Sequence, residues 1–283
     1  MTVVLGILAV LLILVAIVLA AGTALFALSV VLSFAIAWHE RTQSDPAVGF
    51  RHRPALAARL LLGEFVCLLL TLLLRPLGWL PAGIPAGAGR RRPVILLHGL
   101  FQNRSCLLLL QWRLRAAGFD RVISINTPPW RDLETLVDTI AATVEAVRQG
   151  SGCDQVDLVG HSMGGILARC YLQLRNGTAN VSNCVTIGSP HGGTRLAPFA
   201  VSTLGRAMVP GSPLLSRLNR DPLPVAVHWT AISSRHDNII VPAACARLEG
   251  ADNVQLTGLG HTAMLFSRQT AWTVISALGD RNN

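Results

Sequence analysis

Apolar positions along this chain fall into two regimes. From Val3 to Ala37 they run without a charged side chain, Glu40 being the first, and a second apolar stretch from Leu60 to Leu80 is broken only by Glu64 and Arg75. After Pro93 the pattern changes to short apolar runs divided by polar loops. Val94 to Leu97, Val122 to Ile125, Val156 to Val159, Val185 to Ile187, Val225 to Ile232 and Val254 to Leu256 read as strands. Asp132 to Gln149 places Leu133, Leu136, Val137, Ile140, Val144 and Val147 on one helical face, and Met163, Ile166, Leu167, Tyr171 and Leu174 recur at helical spacing. Alternating strands and helices predict an α/β fold with a minimal, mostly parallel sheet of about six strands, covered on both faces.

The first apolar run exceeds the roughly 20 residues that a bilayer-spanning helix needs. A cleaved signal peptide has a positive start and a short apolar stretch, and this run has neither, so a retained transmembrane helix is expected. The charge-free heart of the second stretch, Phe65 to Leu74, is short. It reads as a second span completing a helical hairpin, or as a re-entrant or surface-lying helix, with Glu64 and Trp79 at the membrane interface. A composition 51% hydrophobic with mean hydropathy +0.49 agrees with a part of the chain sitting in lipid. Residues 1–80 are thus expected to be a membrane anchor, the Pro/Gly/Arg-rich 81–92 a linker, and 93–283 the folded domain. Arg41, Arg51, Arg53 and Arg59 between the apolar segments balance Arg75, Arg90, Arg91 and Arg92 after them, so two spans leave the orientation open, whereas one span puts the domain in the cytoplasm. The Arg90-Arg91-Arg92 triplet reads as a solvated linker end or a contact for anionic headgroups.

Net charge is +9, yet all 24 basic residues are scattered arginines with no nucleic-acid fold signature, so no nucleic-acid partner is expected. Cys67, Cys106, Cys153, Cys170, Cys184 and Cys245 have neither CxxC nor metal-site spacing, and no metal or cofactor is called for. The pattern leaves oligomeric state open.

Candidate chemistry centres on Gly160-His161-Ser162-Met163-Gly164, a G-x-S-x-G sequence between a strand and a helix. This context suits a nucleophile elbow, where flanking glycines let the backbone fold tightly enough to lift the serine hydroxyl clear of the sheet. Such an elbow is followed along the chain by an acid and then a histidine, each on a loop after a strand. Asp237, in the polar loop Ser233 to Asp237, and His261, in Thr257-Gly258-Leu259-Gly260-His261, occupy those places. Asp221 reads as a turn residue, Asp252 as a weaker second acid, His228 as a packed strand histidine, and His236 lies too close to Asp237 in sequence to receive its orienting bond easily.

These features, together with the strand ending His98-Gly99-Leu100 and the stretch Gly188-Ser189-Pro190-His191-Gly192-Gly193-Thr194, resemble the α/β-hydrolase superfamily, and within it bacterial lipases and esterases, from about Pro93 to Gly279. The resemblance implies a Ser162–His261–Asp237 triad acting through an acyl-enzyme on lipid or other apolar acyl esters. It also implies an oxyanion hole from the backbone N–H groups of Leu100 and Met163, with His98, Gly99, Gly160, His161 and Gly164 shaping the site. Some related lipases carry a calcium site with an acid just after the histidine; Thr262-Ala263-Met264 supplies none. Residues 195–224 read as a lid or acyl-pocket wall, and 189–193 as the floor of the site. A thioesterase, an acyltransferase with the same triad, and a non-catalytic membrane scaffold are the alternatives.

Overall fold

Short stretches rich in Val, Ile and Leu give the computed structural model a sheet of six parallel strands: β1 (Val94–Leu97), β2 (Val122–Ile125), β3 (Val156–His161), β4 (Val181–Ile187), β5 (His228–Ser234) and β6 (Asp252–Leu256). The structure describes residues 2–44, 54–81, 83, 87 and 89–279; Arg51, Arg53, several linker residues and 280–283 of the expected domain fall outside them. Sheet order is β2-β1-β3-β4-β5-β6, the doubly wound arrangement expected of an α/β chain. Because the strands are parallel, their carboxyl ends share one edge, the edge where such sheets bind ligands. His98, Ser162, Asp237 and His261 all follow strand ends there.

Alternation in β1 shows how the strands are covered. Ile95 and Leu97 join the core with α4 (Leu133–Ser151) and α5 (Met163–Leu174), while Val94 and Leu96 face α3 (Leu108–Ala116), α8 (Ala263–Phe266) and α9 (Arg268–Gly279). Asp132 caps α4 by accepting from the Thr135 N–H, and Gly152 ends it in the left-handed region at φ 65°. One strand differs from expectation. Val225 is 99% exposed and pairing begins only at His228, opposite Asn183, because residues 224–227 form a turn in which the Val227 N–H donates to the Pro224 carbonyl. The same strand runs on through Ser233 and Ser234. His228 is therefore an exposed strand-start residue and not a packed core histidine.

Helices α1 (Thr2–Ser44) and α2 (Pro54–Leu74) pack on one another through Val30, Phe34, Trp38 and Leu60, and among the described side chains Leu25, Leu28, Leu32, Leu62, Leu72 and Leu73 are exposed. Ala21–Gln43 and Pro54–Trp79 are each long and apolar enough to cross a membrane, and only 22% and 17% of their most apolar windows are buried, whereas a soluble core helix is mostly covered. Length and composition alone support this. The arginine triplet has partners in the domain: Arg92 meets Asp157 at 3.4 Å and Arg91 lies 4.6 Å over the Phe119 ring. Glu64 departs furthest from expectation. It is 1% exposed and accepts hydrogen bonds from the backbone of residues 262 and 263, so it is an inter-element contact and not an interfacial side chain.

Candidate active site

Ser162 stands between β3 and α5 at φ 54°, ψ −121°, a conformation that non-glycine residues seldom adopt. The glycines around it permit this turn. A Cβ on Gly160 would strike the backbone of Gly164 and Gly165, and one on Gly164 would strike the carbonyl oxygens of Leu97 and His98. Two backbones approach where only hydrogen fits. The Ser162 side chain makes no capping bond to its own helix.

The loop after β5 and the loop after β6 meet beside it. His261 Nδ1 donates to Asp237, at 2.9 Å from Oδ2 and 3.1 Å from Oδ1, and both side chains are buried. Asp237 Oδ1 also accepts from the N–H groups of Ile239 and Ile240 at 2.8 and 2.9 Å, so its own loop fixes the carboxylate. Burial alone pushes the His261 imidazole towards the neutral form. The Asp237 charge and hydrogen bond, helped by the charge of Glu64, outweigh that and leave its pKa above the ordinary histidine value. Ser162 and His261 line one cavity of about 510 Å³.

Gly99 is in the same wall. A Cβ there would lie 3.0 Å from His161 Nδ1 and 3.1 Å from Ser162 Cβ, so a side chain would crowd the turn after β1 where it approaches the serine. Among the described residues, neither the Leu100 nor the Met163 N–H meets an acceptor, which leaves both free for a ligand oxygen. His98 anchors that turn: its Nδ1 donates to the Gly99 carbonyl at 2.8 Å, and its Nε2 accepts from the Thr127 N–H at 2.9 Å. Burial, only partly offset by the Gly99 bond, holds its pKa down to about 4. Its folded pKa lies below the unfolded value near 6.5, so the neutral ring's stabilisation is complete above about pH 6.5 and is lost as pH falls towards 4. Protonation would set an Nε2–H against the Thr127 N–H. Buried His161 and His191 are held well below the ordinary range, chiefly by burial, and act in the same direction. Thermal midpoints are expected to fall between about pH 7 and about pH 4.5, with a shallower fall in His98→Asn; parallel curves for the two proteins would contradict this account.

His161, expected to shape the site, packs against His261. Its Nε2 donates to the His261 carbonyl at 3.2 Å, and its ring sits 4.7 Å from that of His261. His191 is away from the cavity, against Arg169 and Thr186. In the stretch expected to floor the site, Pro190 lines a cavity that reaches Ser162, and Gly188 just before it packs on Asp237 and His261. At φ 54°, a Cβ on Gly188 would meet Asp237 Oδ2 at 3.2 Å and His261 Nδ1 at 3.3 Å. Its motif signalled proximity but not this packing role. The segment 195–224 folds into short helices, including α6 (Thr203–Arg206) and α7 (Pro213–Leu218), and walls this second, apolar cavity of about 230 Å³. Phe199 at its rim is 80% exposed. Asp221 and Asp252 take no part in the cavity around Ser162, and His236 is engaged by the Gly258 N–H.

Comparison with known proteins agrees with this architecture. The model of the alpha/beta hydrolase family matches residues 94–232. A triacylglycerol lipase of Burkholderia plantarii is 31% identical over 139 residues, covering 44% of this chain and 37% of that protein, so the chain spans well under half the length of this relative. Among solved structures, the mature lipase BlEst2 of Bacillus licheniformis superposes with a TM-score of 0.60 at 18% identity, covering 70% of this chain and 96% of that one. Aspergillus fumigatus lipase B gives 0.58 at 17% identity, over 70% and 54%. The fold is that of the α/β hydrolases, and the family match extends over residues 94–232. Its likenesses are to proteins described as lipases.

Proposed function

We propose that this protein is a membrane-anchored serine hydrolase that cleaves lipid or other apolar acyl esters, with residues 1–80 as anchor, 81–92 as linker and 93–283 as catalytic domain. The observation that carries the reading is His261, bonded to Asp237, sharing a cavity with a strained, uncapped serine. His261 takes the Ser162 proton as the hydroxyl oxygen attacks the ester carbonyl, and Asp237 holds the imidazole in its Nδ1–H tautomer and stabilises the imidazolium. The N–H groups of Leu100 and Met163 receive the developing oxyanion, a contribution of about 3–4 kcal/mol for each such donor in related chemistry. His261 returns the proton to the departing alcohol, and then activates the water that frees the acid and Ser162.

The two cavities divide the substrate. The narrow apolar one, lined by Leu100, Met163, Leu196, Phe199, Leu204 and Met208, suits an acyl chain. The larger one, between Ser162 and the α1–α2 hairpin, suits the alcohol part of a lipid. Substrate access from the bilayer fits a hairpin whose outward face is apolar. A fluorophosphonate probe is expected to label Ser162, and the protein in detergent to hydrolyse p-nitrophenyl acyl esters; wild-type protein inert to both would sink the reading. A panel of oxygen esters, thioesters and alcohol acceptors separates hydrolysis from acyl transfer.

A further inference from the structure

We propose that the apolar hairpin belongs to the active-site machinery as well as to the anchor, with Glu64 as the positioning residue that fixes the loop carrying His261. The proposal rests on the hydrolase reading above, which supplies the role of His261.

Glu64 is the one acidic residue of α2 and is 1% exposed. Burying a carboxyl group in such a helix is costly unless its oxygens are satisfied. Both are. Oε1 accepts from the Thr262 N–H at 2.7 Å and Oε2 from the Ala263 N–H at 3.0 Å. These are the two peptide groups directly after His261, at the start of α8, whose first N–H groups have no partner within the helix. The local sequence Thr262-Ala263-Met264 contains no carboxylate to take them, so the acceptor comes from 198 residues away. Gly260 makes room for it: a Cβ there would run into the Glu64 carboxylate and come within 3.1 Å of the Phe34 ring of α1. Carboxylate, loop and both hairpin helices interlock at this point.

The acid's loop is tied to the hairpin as well. Arg41 Nη2 donates to the Asp237 carbonyl at 2.7 Å, and Asn238 Nδ2 donates to Ser33 Oγ at 2.9 Å. Asn238 Oδ1 in turn accepts from the His261 N–H at 2.9 Å, linking the two loops. At the other end of α2, Asn103 Nδ2 donates to the Arg75 carbonyl, and Arg104 and Asn126 donate to that of Gly78, so the turn bearing the Leu100 N–H is also held from this side. The base, its acid and one oxyanion donor therefore take their positions partly from residues 33–78. Such alignment matters because a displacement near 1 Å can lower a rate by about 100-fold.

A filler role and a positioning role differ in what they do to His261. The charged or titratable groups facing that imidazole are Asp237 at Nδ1, His161 with its ring 4.7 Å away, and Glu64 behind the following peptides, with Arg41 beyond the Asp237 carbonyl. A negative Glu64 favours the imidazolium, so removing that charge lowers the pH at which His261 becomes neutral.

The test uses the full chain in detergent or nanodiscs with p-nitrophenyl butyrate. Glu64→Gln is expected to lower kcat by about 10- to 100-fold with KM nearly unchanged, and to move the acid limb of the kcat/KM profile to lower pH. Glu64→Asp keeps the charge but is one methylene short of the loop; it is expected to lose kcat while its acid limb stays closer to wild type. Both variants melting normally, turning over at the wild-type rate with an unmoved acid limb, would overturn the proposal and leave the hydrolase reading standing. If Glu64→Gln does not fold, Glu64→Asp decides by the kcat criterion alone. Inert wild-type protein would remove both readings together.

Discussion

Ser162→Ala is expected to lower kcat on a p-nitrophenyl ester by about 10⁶-fold, the scale seen when a serine hydrolase loses its nucleophile and retains only oxyanion and binding effects. The fold is expected to persist. Alanine keeps the Cβ that already stands at φ 54°, and the lost hydroxyl makes no capping bond to α5. Fluorophosphonate labelling should vanish while the thermal midpoint stays near wild type. A variant that retains a tenth of the activity would mean that another group carries the chemistry.

For Asp237→Asn the expected loss is about 10⁴-fold in kcat, as when the orienting acid of such a triad becomes an amide. Geometry gives the reason here. Two backbone donors, the N–H groups of Ile239 and Ile240, point at Oδ1, so the oxygen of the introduced amide would be held at that place and its NH₂ would occupy the position of Oδ2, 2.9 Å from His261 Nδ1. Nδ1 must then accept, the proton moves to Nε2, and the nitrogen that the proposed mechanism uses as base can no longer take a proton. Turnover is the readout, with the thermal midpoint as control for folding. Asp237→Asn protein with near wild-type kcat would show that the acid does not set the tautomer.

Much of the site was legible because its requirements are local. Gly160 and Gly164 bracket Ser162 because two stretches of backbone cross there, and that constraint leaves its mark within the short run from Gly160 to Gly164. Asp237 and His261 could be chosen over Asp221, Asp252, His228 and His236 because loops after parallel strands open on one edge of the sheet, so chain order stands in for spatial order. Apolar side chains misled for Val225 to Val227, where a turn closed by the Val227 N–H on the Pro224 carbonyl delays the strand. Chain order also missed the packing of Gly188 against the Asp237–His261 pair, since nothing adjacent in the chain records which glycine faces which loop.

By itself the sequence determined the order of strands and helices, the elbow around Ser162, the candidacy of Asp237 and His261, and two helices apolar enough for a bilayer. Those properties follow from periodicity, glycine sterics and hydropathy, all written within a few residues. Only the tertiary structure decided that Glu64 reaches the peptides after His261, that Arg41 and Ser33 hold the Asp237 loop, and that the space beside Ser162 is lined on one side by the hairpin. Hydrogen bonds between groups so far apart along the chain have no local signature: a buried carboxylate in an apolar helix announces that it has a partner, and only the packed chain shows which one.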